Sequence, residues 1–487
     1  MLFNSVAFAL FFPLVAGLYF LLPQRFRWAL LLAASCGFYM WFRPVYILIL
    51  FFTILVDYGA GIWIDAARGA ARRTALATSI VANVAVLAVF KYWNFAGTNL
   101  TAAAQAIGWN YPVPLLEMAL PIGLSFHTFQ AMSYTIEVYR GNQRAERHLG
   151  IYALYVMFFP QLVAGPIERP QNLLHQFREE HHPDYARMTS GLRLIAWGLF
   201  KKIVVADRLS VLVNAVYEDP GNQAGPWLAL ATAFFAMQIF CDFSGYSDIA
   251  IGSARVLGFR LMKNFDQPYE ARSVAEFWRR WHISLSTWFK DYVYFPLGGN
   301  RGSTTRRHMN LMVVFLLSGF WHGANWTYLI WGALHGGFLV CGVATKGWRR
   351  PFQEAVARRF GDTVLGVWQR VWVFLLVCTG WVFFRAASLH DAVAVFARIG
   401  HGWSQLMRPA DFNQTLWKLG YGRLDLVLVF VLLGVIAGVH RMERRGSMDA
   451  WVVSRPWWQR WALYYAVAAA IFCLAPGTSD QFIYFQF

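Results

Sequence analysis

The sequence predicts an all-α, polytopic integral membrane protein, and three observations predict it. Of its 487 residues, 57% are apolar or aromatic and only 14% are charged, against a charged share of about 25% in soluble domains. Mean hydropathy is positive, and apolar runs long enough to cross a hydrocarbon core of ~30 Å recur along the chain. The 43 Lys and Arg exceed the 26 Asp and Glu, a net charge of +17, yet the excess is scattered through short segments between apolar runs. Cytoplasmic loops collect basic residues in that way, whereas a nucleic-acid binder gathers them into one patch, so nucleic acid is not an expected partner.

Taken in order, the apolar runs place membrane segments near 3–21, 28–42, 45–64, 75–92, 117–136, 150–164, 190–205, 226–241, 309–321, 325–346, 368–384, 425–440 and 460–476. The first has no basic stretch before it and no small-residue cleavage pattern after it, so it reads as a retained helix and not a signal peptide. Basic clusters at Arg25/Arg27, Arg68 to Arg73 and Arg140 to Arg147 follow alternate segments, and 95–120 carries no Lys or Arg. Positive-inside then puts the N-terminus and 95–116 outside, with the later clusters at 301–307, 346–359 and 441–445 cytoplasmic. Five cysteines far apart, with no C-x-x-C pair, give neither a zinc site nor a disulfide framework. No internal repeat and no long linker is visible, so one membrane-embedded domain over 1–487 is expected, with a functional core at about 120–340.

Polar residues concentrate in four stretches. In Phe158 to Pro170 an apolar helix stops at Gly165-Pro166 and is followed by Glu168 and Arg169, read either as an interfacial cap or as a site. In Cys241 to Gly252, Asp242 and Asp248 flank small residues where the apolar run ends, and hydrogen-bonded helix-end structure is expected there, since two carboxylates without a neighbouring His make a poor metal site. From Asp242 to His308 no 20-residue apolar run occurs, which suggests amphipathic or re-entrant chain.

Within that span, Glu276 to Tyr292 puts Trp278, Trp281, Leu285 and Trp288 on one helical face, with Arg279, Arg280 and Lys290 as cations. An amphipathic helix in the cytoplasmic interface is expected. His282 and Ser284 in its middle exceed what an anchor needs. Gly298-Gly299-Asn300-Arg301 follows as a Gly-rich turn beside positive charge, open to an anionic group, though without the spacing of a P-loop.

The fourth stretch is Ser318 to Trp326, with His335 further along. His322, between Trp and Gly in an apolar region, has to hydrogen-bond another helix or line a cavity. Gly319 and Gly323 leave room for a ligand, Asn325 can orient an imidazole or a carbonyl, and His282 offers a second base. An imidazole titrates near neutrality, and a cationic face beside it suits acyl transfer from an anionic thioester to a hydroxyl. His322 would then take the acceptor proton, and nearby N–H groups or Asn325 would hold the developing oxyanion. G-x-S-x-G and H-E-x-x-H are absent.

At these residues the sequence resembles the membrane-bound O-acyltransferase (MBOAT) superfamily, in its bacterial alginate O-acetyltransferase branch. The shared runs cover nearly the whole chain: Met1 to Ser5, Pro121 to Phe126, Tyr139 to Gly141, Ala164 to Pro166, Asp242 to Asp248, Phe277 to Ser286, Leu297 to Arg301, Trp321 to Asn325, Gly380 to Ala386 and Tyr484 to Phe487. The resemblance implies a bundle of roughly 11–13 helices with re-entrant pieces around a central tunnel. It maps the family's hallmark histidine onto His322 and a second, more variable position onto His282.

It further implies acetyl-CoA as donor from the cytoplasm, its phosphates near Arg279, Arg280, Lys290, Arg301, Gly298 and Gly299, and no metal. The acceptor would come from the periplasm through polysaccharide acetylation proteins, with an exopolysaccharide, alginate first, as the final acceptor. The location would be the bacterial inner membrane, in contact with lipid. Tyr294 to Leu297 resembles other exopolysaccharide acetylases as much as the alginate enzyme, which leaves bacterial cellulose or another polymer as alternatives. The competing classes are a transporter or polymer-export pore and a scaffold in which His322 is structural.

Overall fold

A computed structural model describes residues 1–110, 112–116, 121–163, 165–476 and 482–483, and among these residues there are helices and turns but no strand. The runs at Tyr484 to Phe487, at Ala164 and at the start of the 117–136 segment lie outside the described residues. The helices used below are α1 (Val6–Leu21), α2 (Gln24–Met40), α3 (Ile47–Ala66), α4 (Gly69–Leu87), α5 (Leu124–Arg140), α6 (Tyr185–Leu199), α7 (Gly225–Leu257), α8 (Val274–Arg280), α9 (Ile283–Phe289), α10 (Thr304–His322), α11 (Trp326–Ala344), α12 (Lys346–Arg385) and α13 (Arg423–Glu443). Six helical stretches among the described residues are long and apolar enough to cross a membrane: Pro44–Ala66, Gly69–Ala106, Gly225–Leu257, Trp326–Ala344, Lys346–Arg385 and Arg423–Glu443. Helices suit lipid because each closes its own backbone hydrogen bonds. The all-α, multi-pass expectation holds.

Three elements differ from expectation. The 150–164 segment breaks at Phe158 into Leu149–Met157 and Phe159–Leu162, because Pro160 has no N–H to continue the first helix. The 226–241 segment does not end at Asp242; α7 runs 16 residues further, to Leu257. The stretch 276–292 is not one interfacial helix. It is two short ones, α8 and α9, broken at Trp281-His282, and Trp278, Trp281, Leu285 and Trp288 are all buried.

Contacts fall into two compact units, Met1–Ile195 with Tyr246–Lys263 and Ala196–Gly245 with Asn264–Phe487. In the first unit, α3, α4 and α5 are tied by a fully buried polar cluster. Asp57 accepts from Ser79 Oγ (2.6 Å) and from Asn83 Nδ2 (2.9 Å), and Ser79 Oγ lies 2.9 Å from Thr135 Oγ1. Hydrogen bonding of this kind holds helices together where apolar contact with lipid gives no preference for association.

In the second unit, α10 and α11 form a hairpin whose backbones nearly touch. A Cβ at Gly319 would stand 2.3 Å from the Tyr328 carbonyl oxygen, and one at Gly332 would stand 2.3 Å from that of Phe315. Only glycine permits this approach. The hairpin sets His322 at the end of α10, Asn325 at the start of α11 and His335 further along α11.

Candidate active site

His282 sits at the break between α8 and α9 with φ +43° and ψ 56°, one of two non-glycine residues with positive φ among the described residues. A left-handed conformation is uncommon for such a side chain and persists where the surroundings impose it. Here a neighbouring, antiparallel stretch of chain imposes it. Asp266 N donates to Arg280 O (2.9 Å) and Ile283 N donates to Asn264 O (2.8 Å), so the backbone is held on both sides of His282. The imidazole is fully buried against Phe243, Phe265 and Trp321, at ring-centroid distances of 4.6, 6.3 and 6.4 Å. Burial pushes its pKa down to about 3, so the ring is neutral at physiological pH.

His322 is the last residue of α10 and is buried. Its ring packs on Trp321 (4.8 Å), Trp331 (4.9 Å) and Phe384 (5.4 Å). Trp321 therefore contacts both histidines, which places them in one aromatic core. His335, fully buried, accepts a hydrogen bond at Nδ1 from Trp278 Nε1 (3.3 Å). Asn325 caps α11: its side-chain oxygen accepts from Thr327 N (3.1 Å) and its Nδ2 donates to Ala387 O (3.2 Å). Both ends of that amide are thus engaged in holding the turn.

Beside this core lies a cleft of about 1170 Å³ lined by cations, including Arg272, Arg279, Lys290, Arg307 and Arg349, and by tryptophans, including Trp278 and Trp348. Such a lining fits a ligand that carries phosphates on one part and an apolar or planar group on another. Of the residues expected at an anion site, Arg279 and Lys290 line the cleft and Arg280, Arg301, Gly298 and Gly299 do not. Arg280 instead pairs with Glu276 (2.8 Å). Gly298 and Gly299 do form a tight turn, at φ +105° and +57°, but Asn310 Nδ2 donates to Gly299 O (3.1 Å) beneath it, while Asn300 reaches the cleft.

The other two polar stretches are structural in geometry. Lys202 Nζ, in a π-helical turn after α6, lies 2.8 Å from Asp207 and 2.7 Å from Asp242, and all three side chains are buried. Lys201 Nζ donates to Ser244 Oγ (2.9 Å) and Ile483 N donates to Asp242 (2.8 Å). This network is why α7 continues through Asp242. Glu168, also fully buried, accepts from Met262 N (2.5 Å), and burial pushes its pKa up to about 7.

Residues 128–387 match the model of the MBOAT, membrane-bound O-acyltransferase family. The chain is 41% identical over 438 residues to a probable alginate O-acetylase (AlgI) of Pseudomonas aeruginosa, covering 89% of this chain and 81% of that one. It is 39% identical to that of Pseudomonas fluorescens across 100% of both chains, and 34% identical to the peptidoglycan O-acetyltransferase of Helicobacter pylori, covering 81% and 79%. The chain belongs to the membrane-bound O-acyltransferase family. It is a multi-pass membrane enzyme that transfers an acyl group to oxygen, and the transporter and export-pore readings fall with that assignment. Sequence reasoning missed Asn264 and Trp331, since nothing near either marks it as a partner of a histidine 18 or nine residues away.

Proposed function

We propose that the protein transfers acetyl from cytoplasmic acetyl-CoA across the bacterial inner membrane for O-acetylation of an exopolysaccharide, alginate first among the candidates. The observation that carries the reading is the juxtaposition of two buried histidines on one tryptophan, Trp321, in a unit that also holds a cleft lined by Arg279 and Lys290. The several probable alginate O-acetylases near 40% identity support alginate as the polymer. The peptidoglycan relative shows that other polymers occur in the family.

The cleft cations bind the phosphates of the donor. The acceptor hydroxyl oxygen attacks the thioester carbonyl; the C–O bond forms as the C–S bond breaks. The hydroxyl proton passes to His322 and from there to the departing sulfur, which leaves as the thiol of free CoA. His282 assists by orienting the hydroxyl, and Asn325 holds the turn that carries His322. The acetyl group then reaches the polymer through periplasmic acetylation proteins.

The test is acetyl loss from radiolabelled acetyl-CoA, measured in membranes of polysaccharide-producing cells that carry the wild type, His322→Ala or His282→Ala. Size-exclusion profiles of the purified variants check folding. Loss of transfer in a well-folded His322→Ala supports the reading; wild-type turnover by that variant removes His322 from the chemistry. Failure of the wild type to consume acetyl-CoA, while it consumes another acyl thioester, removes the donor assignment.

A further inference from the structure

Asn264 is 1% exposed, while His282 and Ser284 are fully buried. The Asn264 side-chain oxygen receives three neighbours: Ser284 N at 3.3 Å, Ser284 Oγ at 2.9 Å and His282 Nδ1 at 3.1 Å. The backbone N–H of Ser284 can only donate, so the atom that it faces is the amide oxygen and not the nitrogen. An amide oxygen can only accept. His282 must therefore carry its proton on Nδ1, which makes Nε2 the ring nitrogen with the lone pair. Ser284 Oγ lies 3.4 Å from His282 Nδ1 but 2.9 Å from the amide oxygen, so the serine donates to Asn264 and does not compete for the imidazole. The backbone of Asn264 also holds Ile283 N, and the same residue thereby fixes both the left-handed backbone of His282 and the tautomer of its ring.

We infer that Asn264 is the positioning residue of the second histidine: it locks His282 as the Nδ1–H tautomer, so that Nε2 accepts a hydrogen bond from the acceptor hydroxyl. The inference rests on the proposed role of His282 in acetyl transfer. Among the described residues, the rings packed on His282 include Phe243, Phe265 and Trp321, none of which titrates. Asp242, next to Phe243 in sequence, is paired with Lys202.

The experiment measures acetyl transfer from radiolabelled acetyl-CoA, as a function of pH, by the full chain in membranes of polysaccharide-producing cells. The variants are Asn264→Ala, Asn264→Asp, His282→Ala and the double variant Asn264→Ala/His282→Ala. Loss of an orienting partner costs roughly 10- to 100-fold, and that loss is expected for Asn264→Ala. In the His282→Ala background the same change is expected to add almost nothing, because it acts through a ring that is gone.

Asn264→Asp keeps an acceptor for Nδ1–H. This variant is therefore expected to recover activity to within about tenfold of the wild type. A purely structural Asn264 would leave Asn264→Asp, which buries a new charge, no more active than Asn264→Ala. An equal loss in both backgrounds, or wild-type activity in Asn264→Ala, overturns the inference while the role of His282 stands. Wild-type activity in His282→Ala instead removes the reading on which the inference depends. If Asn264→Ala fails to fold, the activity of Asn264→Asp decides: its recovery supports the positioning role and its absence overturns it.

Discussion

Arg279 and Arg280 are neighbours with opposite commitments: the first lines the cationic cleft, and the second is held 2.8 Å from Glu276 on its own helix. Replacing them by Gln should therefore give different phenotypes. Arg279→Gln is expected to raise KM for acetyl-CoA about tenfold with kcat little changed, as loss of one phosphate contact of ~1.4 kcal/mol would. Arg280→Gln should leave KM within about twofold, because a part-exposed ion pair contributes little to stability or binding. Steady-state kinetics of both variants checks the contrast.

Asn325 separates two roles by magnitude. Removal of an oxyanion donor costs about 10²–10³ in kcat, whereas removal of a helix cap costs ~1 kcal/mol of stability. With its amide engaged at Thr327 N and Ala387 O, Asn325→Ala is expected to lower the melting temperature and to reduce kcat less than tenfold. Asn325→Ser, which can still cap, should restore the melting temperature. A hundredfold loss of kcat in a variant of normal stability would return Asn325 to the chemistry.

Lys202 neutralises two buried carboxylates at once. Lys202→Met removes the cation that lies between Asp207 and Asp242, and breaking a buried ion pair from one side costs about 3–5 kcal/mol. The variant is expected to lose its monodisperse size-exclusion peak. Changing Asp207 and Asp242 to Asn along with it should restore a large part of that loss.

Glu168 gives a pH signature. Its folded pKa of about 7 lies above its ordinary value near 4.5, so the folded chain binds this proton more tightly than the unfolded chain does. The contribution to stability is complete below about pH 4.5 and is lost as pH rises through 7, on the order of 3 kcal/mol in all. Glu168→Gln keeps an acceptor for Met262 N and cannot ionise. Its melting temperature in detergent should fall less between pH 4.5 and 8 than that of the wild type, and parallel curves would show that Glu168 is not the group responsible.

Much of the site was legible because polar residues are conspicuous in an apolar chain. His322, His282 and Arg279 stood out against their surroundings, and the apolar runs located most of the long helices. What spacing could not carry was the break at Trp281-His282. That break depends on hydrogen bonds from Asn264 and Asp266, some 16 residues upstream, and beyond it the register of a continuous helix no longer says which side a residue faces. Asp242 looked like the end of a helix because a charge interrupts the apolar run, but its charge is balanced by Lys202, 40 residues earlier in the chain. Local pattern reports the cost of a charge and not the partner that offsets it.

The hairpin of α10 and α11 meets through main chain at Gly319 and Gly332, with no side chain between the helices at those points. A joint of that sort has no rotamers through which to relax. If the bilayer thins or thickens and the helices tilt in response, His322, Asn325 and His335 move together as parts of one casting. The spacing among them is therefore set by the protein alone and is independent of the lipid in which the enzyme works.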